Sequence, residues 1–196
     1  MDALGRWAGF LAMAGGALLT IILIIVALSP TSIAWYGLFL GIVLLGAALP
    51  GLYWRTRPAA GRFGLAAAWL SGLGAVAIVM VAAYLVGTNQ VSAAQQDLPE
   101  GPVGFVAIAA SVAWLFGNLG FAVALIRSRA LPRLGAWLVL AGAFVPIAMA
   151  PFVGDGSPPA LTQAVTLVFG LVPVGWILLG YQAWRGTGTR RRVAAS

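Results

Sequence analysis

The chain has 196 residues, of which 62% are hydrophobic and only 8% are charged, and its formal net charge is +7. Soluble domains carry about 25% charged residues. No soluble fold of this length hides so much apolar surface, so the composition predicts a protein solvated by lipid. A pI near 11.4 often indicates nucleic-acid binding, but here the basic residues lie beside long apolar runs, and we expect no nucleic-acid partner.

Cysteine and histidine are both missing from the chain. Without cysteine there are no disulfides, thiolate catalysis or iron–sulfur ligation. Without histidine there is no His-ligated haem, and the usual general base and most transition-metal sites are excluded. We therefore expect no cofactor and no metal site. All basic residues are arginine, none lysine, and alanine and glycine abound, which favours a bacterial origin.

Six apolar stretches in chain order are each long enough to cross a bilayer, which takes about 20 residues at 1.5 Å rise per residue. Only helices satisfy their own backbone hydrogen bonds in lipid. The sequence therefore predicts an all-α integral membrane protein with six transmembrane helices, both termini cytoplasmic, in one domain (1–185) followed by a basic tail (186–196). The predicted spans are 7–28, 33–54, 63–86, 103–126, 134–152 and 161–184.

The segments between these spans are short, and charge divides them into two sets. Segments 55–62 and 127–133 are predicted to be basic loops, whereas the polar segment 88–102 and the Gly/Pro segment 154–160 carry Asp97, Glu100 and Asp155. The first span is too long for a typical signal-peptide core, so we expect it to be a permanent anchor.

Every arginine falls on one side of the predicted bundle. The positive-inside rule then places both termini in the cytoplasm and the protein in the bacterial cytoplasmic membrane. We expect these arginines to fix orientation and to bind anionic lipid headgroups, at about 1 kcal/mol each. A cytoplasmic docking or ligand site is the alternative. The arginines beside the predicted spans are Arg55, Arg57, Arg62, Arg127, Arg129, Arg133 and Arg185, together with Arg6 near the N-terminus.

No Asp, Glu, Lys, Arg or His residue lies inside a predicted span. Such residues mark proton relays and ion paths, so their absence argues against a proton- or sodium-coupled pump. The most polar residue at depth is Asn118, nine residues before Arg127. Ser71 lies nine residues after Arg62, at the same depth. The pair is interpreted as an interhelical hydrogen bond worth about 0.6–1.7 kcal/mol, with a polar spot lining a cavity as the alternative.

Two prolines interrupt the last two spans at similar depth. Pro146 is 13 residues beyond Arg133, and Pro173 is 12 residues before Arg185. Paired interruptions can indicate a transporter binding site, although proline is also common in membrane helices without such a role. Gln163 and Thr166 share one face of the sixth span, and that face could look into a vestibule.

Small residues recur at four-residue spacing in the second, third and fourth spans, which lets helix backbones approach closely. These rows are interpreted as internal packing, with a partner-protein face as the alternative. They are Gly37 and Gly41; Gly64, Ala68 and Gly72, with Ala67, Ser71 and Ala75 beside them; and Ala109, Ala113 and Gly117.

Two functional hypotheses follow from these features. The first is a non-catalytic accessory or scaffold subunit of a membrane complex, which binds a membrane protein partner or a second copy through its small-residue faces. The second is a facilitator or substrate-binding transporter component for a small neutral or lipophilic molecule. A polar-lined cavity would favour the second, and a bundle packed throughout with an outward small-residue groove would favour the first. Size and topology alone also suit the substrate-binding subunit of a vitamin importer.

Overall fold

A computed structural model gives the fold. All regular secondary structure within the described residues is helical, which confirms the predicted all-α class. Residues 89–100 of the predicted polar segment 88–102, residues 154–157 of the predicted segment 154–160, and the tail from 186 onward lie outside the described residues. The structure describes residues 2–28, 32–88, 101–129, 131–149 and 158–185. The helices are α1 (Asp2–Leu28), α2 (Ser32–Gly87), α3 (Pro102–Ser128), α4 (Arg133–Met149), α5 (Pro159–Phe169) and α6 (Leu171–Arg185).

The second helix differs from the prediction, because segment 55–62 is not a loop. It is helical except at Gly61, whose φ of 61° and ψ of −160° break the helix at a single residue. The chain turns back there: a Cβ built on Gly46 would lie 3.1 Å from the Cβ of Ala75. We call residues 32–60 the first arm of α2 and residues 62–87 its second arm. A left-handed φ is open to glycine at little steric cost, so one residue replaces a loop.

The predicted sixth span is divided between α5 and α6. The two helices meet at Gly170, which keeps helical φ and ψ and donates its backbone N–H to the Thr166 carbonyl at 3.1 Å, so Gln163–Arg185 still forms one stretch. Pro173 follows in the first turn of α6, where its missing N–H removes no bond that the new helix needs. The ring therefore marks the start of a helix here, while Pro146 lies within α4.

Four helical stretches of the described chain are long and apolar enough to cross a membrane. A fifth, Arg133–Met149, is apolar but has 17 residues, about 26 Å at helical rise. Helices of this length and composition suggest a membrane protein. The four stretches are Ala3–Ile25, Tyr36–Gly87, Pro102–Ser128 and Gln163–Arg185.

The packed helices run antiparallel, and glycines mark their contacts. Gly117 of α3 contacts Ser71 of the second arm, and Gly120 contacts Ala67. Residue numbers therefore increase along α3 as they decrease along the second arm, which makes the two helices antiparallel. The same opposed register joins α1 to the first arm, α1 to α6, and α4 to α6. Because of it, the helix ends that carry arginine lie at one end of the bundle, which we call the arginine end. The contacts that set the other registers are Gly5 with Arg55, Gly15 with Leu45, Gly9 with Trp184, Gly16 with Ile177, Gly135 with Leu179 and Gly142 with Val172.

The row of small residues on the second arm faces into the bundle. Ala67, Ser71 and Ala75 are buried, whereas a Cβ on Gly72 would meet nothing within 4 Å. On the first arm, Gly37 and Gly41 pack against Ile22 and Leu19 of α1. These small residues therefore let helices approach inside the chain, as the internal-packing interpretation predicts.

Candidate functional site

A buried polar network joins three helices near the middle of the bundle. Asn118 of α3 donates from Nδ2 to the Ser71 hydroxyl on the second arm at 3.0 Å and to the Trp114 carbonyl at 2.7 Å. Its Oδ1 accepts the indole N–H of Trp176, on α6, at 3.1 Å. Asn118, Ser71 and Trp176 are each at most 1% exposed. The amide thus uses its carbonyl and its NH₂ group within the protein, which is the state that buried amides need.

Close backbone approach makes this network possible. A Cβ on Gly117 would collide with the backbone nitrogen of Ser71, and a Cβ on Gly74 would collide with the backbone nitrogen of Trp114. With glycine at both positions, the second arm and α3 come near enough for the short serine side chain to reach the amide. Small residues serve this purpose in membrane helices generally.

The third member of the network, Trp176, also stacks on Phe121 of α3. The ring centres are 6.1 Å apart and the ring planes differ by 8°. Trp176 lies nine residues before Arg185, just as Asn118 lies nine before Arg127 and Ser71 nine after Arg62. The three residues therefore share one level, about 13–14 Å from the arginine end at helical rise.

Farther from the arginine end, the helices line a half-open cavity of about 290 Å³. The lining residues on helices that carry an arginine lie 12 to 17 positions from the nearest one, compared with nine for the polar network. The cavity therefore lies beyond the network. Both arms of α2 contribute to it, as do α1, α3, α5 and α6. No charged residue lines it. The lining consists of Leu19, Leu23, Leu38, Phe39, Ile42, Ile78, Ser111, Trp114, Leu115, Phe169, Val172 and Pro173.

Two polar side chains belong to this lining. Trp114 is 7% exposed, and its indole Nε1 is buried without a hydrogen-bond partner. Ser111 is exposed, and its hydroxyl donates to the Ala107 carbonyl one turn earlier at 2.8 Å. The cavity is therefore apolar, with the Ser111 hydroxyl oxygen as a polar group at its edge, whereas the buried Nε1 of Trp114 is shielded from it.

The predicted site residues do not all meet. Asn118 and Ser71 bond to each other, as predicted, and Pro173 lines the cavity beyond them. Pro146 is half-buried in α4, outside the cavity lining. Gln163 is exposed and Thr166 is half-buried on α5, and neither belongs to the lining.

At the arginine end, aromatic side chains flank two of the cations. The guanidinium carbon of Arg57 lies 5.2 Å from the ring centre of Trp54, and that of Arg185 lies 4.6 Å from the ring centre of Tyr181. Such stacking holds a cation at the surface without burying it. Arg129 ends α3 in the left-handed region, at φ 51°. The side chains of Arg6, Arg57, Arg62, Arg127, Arg129, Arg133 and Arg185 are exposed, and Arg55 is half-buried beside Gly5.

Sequence reasoning missed both tryptophans of the site. Trp176 carried a usable signal, because its nine-residue distance from Arg185 equals that of Asn118 from Arg127. Trp114 carried none, since one more apolar residue in an apolar helix does not reveal which way it faces. Thr56 was also missed; it is 2% exposed and donates to the Leu52 carbonyl at 2.9 Å.

No protein-family model, curated protein or solved structure matches the chain. Its class therefore rests on the fold: an all-helical bundle with helices apolar enough to span a membrane. Within the described residues there is no group of three or more His, Cys, Asp or Glu side chains that could hold a metal ion.

Proposed function

We propose that this protein is a non-catalytic, multi-pass membrane protein that binds a small neutral or lipophilic molecule within the bilayer, as a facilitator or a binding component of a transporter. The observation that carries the proposal is the half-open cavity of about 290 Å³, lined by helices from every part of the described fold except α4. Its lining is apolar rather than polar as we expected of a facilitator, so it favours a lipophilic ligand. Binding sites for small molecules are typically concave, mostly apolar and largely pre-formed.

The chemistry of the lining supports a neutral ligand. None of the cavity-lining side chains is charged, and a charged ligand would lose its hydration there without gaining a counter-ion. A lipophilic molecule reaches such a site from the surrounding acyl chains and has little hydration to lose. The exposed position of Ser111 puts an edge of the cavity at the bundle surface, where such a molecule would enter.

The proposal includes a membrane topology of six crossings with both termini in the cytoplasm of a bacterium. The two arms of α2 count as two crossings because the chain turns back at Gly61, and α4 counts as another at about 26 Å. The orientation follows from the arginine end, which the positive-inside rule assigns to the cytoplasm. Its exposed arginines would contact anionic lipid headgroups.

The accessory-subunit hypothesis has less support. It required outward-facing rows of small residues, whereas Gly37 and Gly41 and the row through Ser71 pack against other helices of the same chain. In the predicted rows, Gly72 of the second arm faces open space and Ala109 of α3 is exposed. The two lie on different helices and offer little of a docking groove.

Native mass spectrometry of the protein released gently from its own membrane tests this proposal. We expect a bound small molecule, at one per chain, on the wild type. Leu38→Phe enlarges a side chain of the cavity lining and should abolish the adduct. Leu73→Phe makes the same change at a side chain that is 59% exposed and should leave it intact. A lone chain without adduct in all three samples contradicts the proposal, and a stoichiometric protein partner would favour the accessory subunit instead.

A further inference from the structure

We infer that the ligand of this cavity is a neutral amphiphile with a hydrogen-bond donor, of the alcohol or amide kind. Its apolar end points toward the polar network, and its donor lies at the open end of the cavity, where the Ser111 hydroxyl oxygen accepts it. The inference rests on the proposed function and deepens it, because it names the chemical class of the ligand and its direction in the cavity.

The residues that line the cavity form two layers along the bundle. Counted along the helix to the nearest arginine, and through Gly170 for Phe169, one layer is 12 or 13 positions from the arginine end and the other is 16 or 17. About four residues, or roughly 6 Å of helix, separate them. We call the nearer layer the floor; it consists of Leu19, Ile42, Trp114, Leu115, Val172 and Pro173. We call the farther layer the rim; it consists of Leu23, Leu38, Phe39, Ile78, Ser111 and Phe169.

Burial shows which end of the cavity is open. All floor residues are buried except Leu115, which is half-buried, whereas no rim residue is buried and Ser111 is exposed. About one helical turn nearer the arginine end, the polar network closes the interior, since Asn118 bonds to Ser71 and Trp176 bonds to Asn118. The cavity is therefore closed toward the arginine end and open at the rim.

The polar group of the lining lies at this open end. The floor is hydrocarbon apart from the indole of Trp114, whose Nε1 is shielded from the cavity. At the rim, the Ser111 hydroxyl donates its proton to the Ala107 carbonyl at 2.8 Å, so its oxygen can accept but has no proton to offer. A ketone, ester or ether gains no hydrogen bond from it, whereas an alcohol O–H or an amide N–H does.

The bilayer orients such a molecule in the same direction. The rim is about 24–26 Å from the arginine end at helical rise, beyond the middle of a hydrocarbon core of about 30 Å. An amphiphile in that half of the bilayer keeps its polar end toward the water on the side away from the arginines. It therefore enters at the rim, apolar end first, without turning over.

The volume limits the size of the ligand. A cavity of about 290 Å³ is at the lower end of the range for small-molecule sites, roughly 300–1,000 Å³. It accommodates a short chain or a compound of one or two rings, rather than a whole phospholipid. A short-chain alcohol is therefore a suitable probe.

Two photoreactive isomers of octanol test the direction of the ligand. The diazirine is near the hydroxyl in 3-azioctanol and near the other end of the chain in 7-azioctanol. The full-length protein is placed in lipid nanodiscs, ultraviolet light expels N₂ from the diazirine, and the resulting carbene inserts into neighbouring bonds. We expect saturable labelling by both isomers. Mass spectrometry should locate the adducts of the first at rim residues such as Ser111 and Phe169, and those of the second at floor residues such as Leu115 and Val172.

A pair of competitors tests the donor. 1-Octanol and heptyl methyl ether are isomers, and only the alcohol carries a donor. Competition with 3-azioctanol gives both dissociation constants, expressed as mole fraction in the bilayer. We expect about threefold tighter binding of the alcohol. Threefold corresponds to about 0.6 kcal/mol, the average for a hydrogen bond between membrane helices.

Two serine variants assign that ratio to one oxygen. In Ser111→Ala the ratio should fall to about one, because the acceptor is gone. Ser128→Ala is the matched control at the arginine end. It also removes a serine hydroxyl that donates to a carbonyl of its own helix, that of Leu125 at 3.1 Å, and it should keep the ratio at about three.

The outcomes separate the two proposals. If the two isomers label the same layer, or the reverse layers, the inferred direction is overturned while the binding function stands. A wild-type ratio near one, or a threefold ratio that persists in Ser111→Ala, overturns recognition of the donor. If neither isomer labels the cavity residues saturably, the binding function itself fails. The labelling pattern is informative even if a variant does not fold, because it needs no substitution.

Discussion

The indole nitrogen of Trp176 and the side-chain oxygen of Asn118 lie 3.1 Å apart, although 58 residues separate them in the chain. This bond joins α6 to α3, and the Asn118 amide continues it to Ser71 on the second arm. The bundle interior is thus connected by hydrogen bonds at one level and is apolar with a cavity at the next. The hydrogen-bonded level sets the packing of the helices, and the apolar level with the cavity leaves room for a ligand.

Replacing Asn118 with leucine should destabilise the protein by about 1–3 kcal/mol, because Trp176 would keep a buried N–H without an acceptor. Leucine keeps the number and branching of the side-chain heavy atoms but is bulkier, so overpacking adds to the lost hydrogen bonds. Thermal unfolding in nanodiscs, followed by near-ultraviolet circular dichroism, measures the destabilisation. Thr88→Ala removes an exposed hydroxyl that bonds to the Tyr84 carbonyl and should change stability by much less. Equal stability of Asn118→Leu and the wild type would contradict a structural role for the network.

Gly117→Ala should cost about 1–3 kcal/mol, since its Cβ would collide with the backbone of Ser71 and force the two helices apart. Gly72→Ala is the matched control on the facing helix, because its Cβ would meet nothing within 4 Å. Alanine is the better helix former by up to about 1 kcal/mol, so the control should be neutral or stabilising. The same unfolding assay compares them. If the two variants have the same stability, the second arm and α3 do not approach each other as closely as described above.

Gly61→Ala should destabilise the protein by about 1–2 kcal/mol, because a Cβ at a φ of 61° is strained. The side chain itself has space, since nothing lies within 4 Å of that position. Gly87→Ala also enters open space but has no left-handed φ, so it isolates the backbone effect. A Gly61→Ala protein as stable as the Gly87→Ala control would show that the break lies elsewhere.

Single cysteines should report the proposed orientation, since the chain has none of its own. A cysteine at Ser128, at the arginine end, should react with a membrane-impermeant maleimide only after the cells are permeabilised. A cysteine at Gln95, which lies outside the described residues, should react in intact cells. The reverse pattern would invert the topology, and reaction of both from the same side would refute the count of six crossings.

The length of the apolar stretches and the positions of the charges made the helices predictable. The sequence did not show which side of each helix faces the interior of the bundle. Arginines at fixed distances from Asn118 and Ser71 placed both side chains at one level, and they do bond. Trp114 was not foreseen because these helices are apolar on every side, so no amphipathic pattern tells the interior from the lipid. The 55–62 segment was mistaken for a loop because its Arg, Pro and Gly composition is typical of loops. In the fold, a left-handed Gly61 makes the whole turn.

The glycines of α6 have a mechanical consequence. A Cβ on Gly175 would meet the Gly135 carbonyl of α4 at 2.6 Å, and a Cβ on Gly180 would meet the Gly9 carbonyl of α1 at 2.5 Å. These two positions point about 140° apart around the helix. The backbones of α4 and α1 therefore pack closely against two different sides of α6. It cannot rotate about its axis without driving a larger side chain into one of them. A slide of α6 along its length would also move both glycines out of these contacts, so the close packing restrains α6 against either motion.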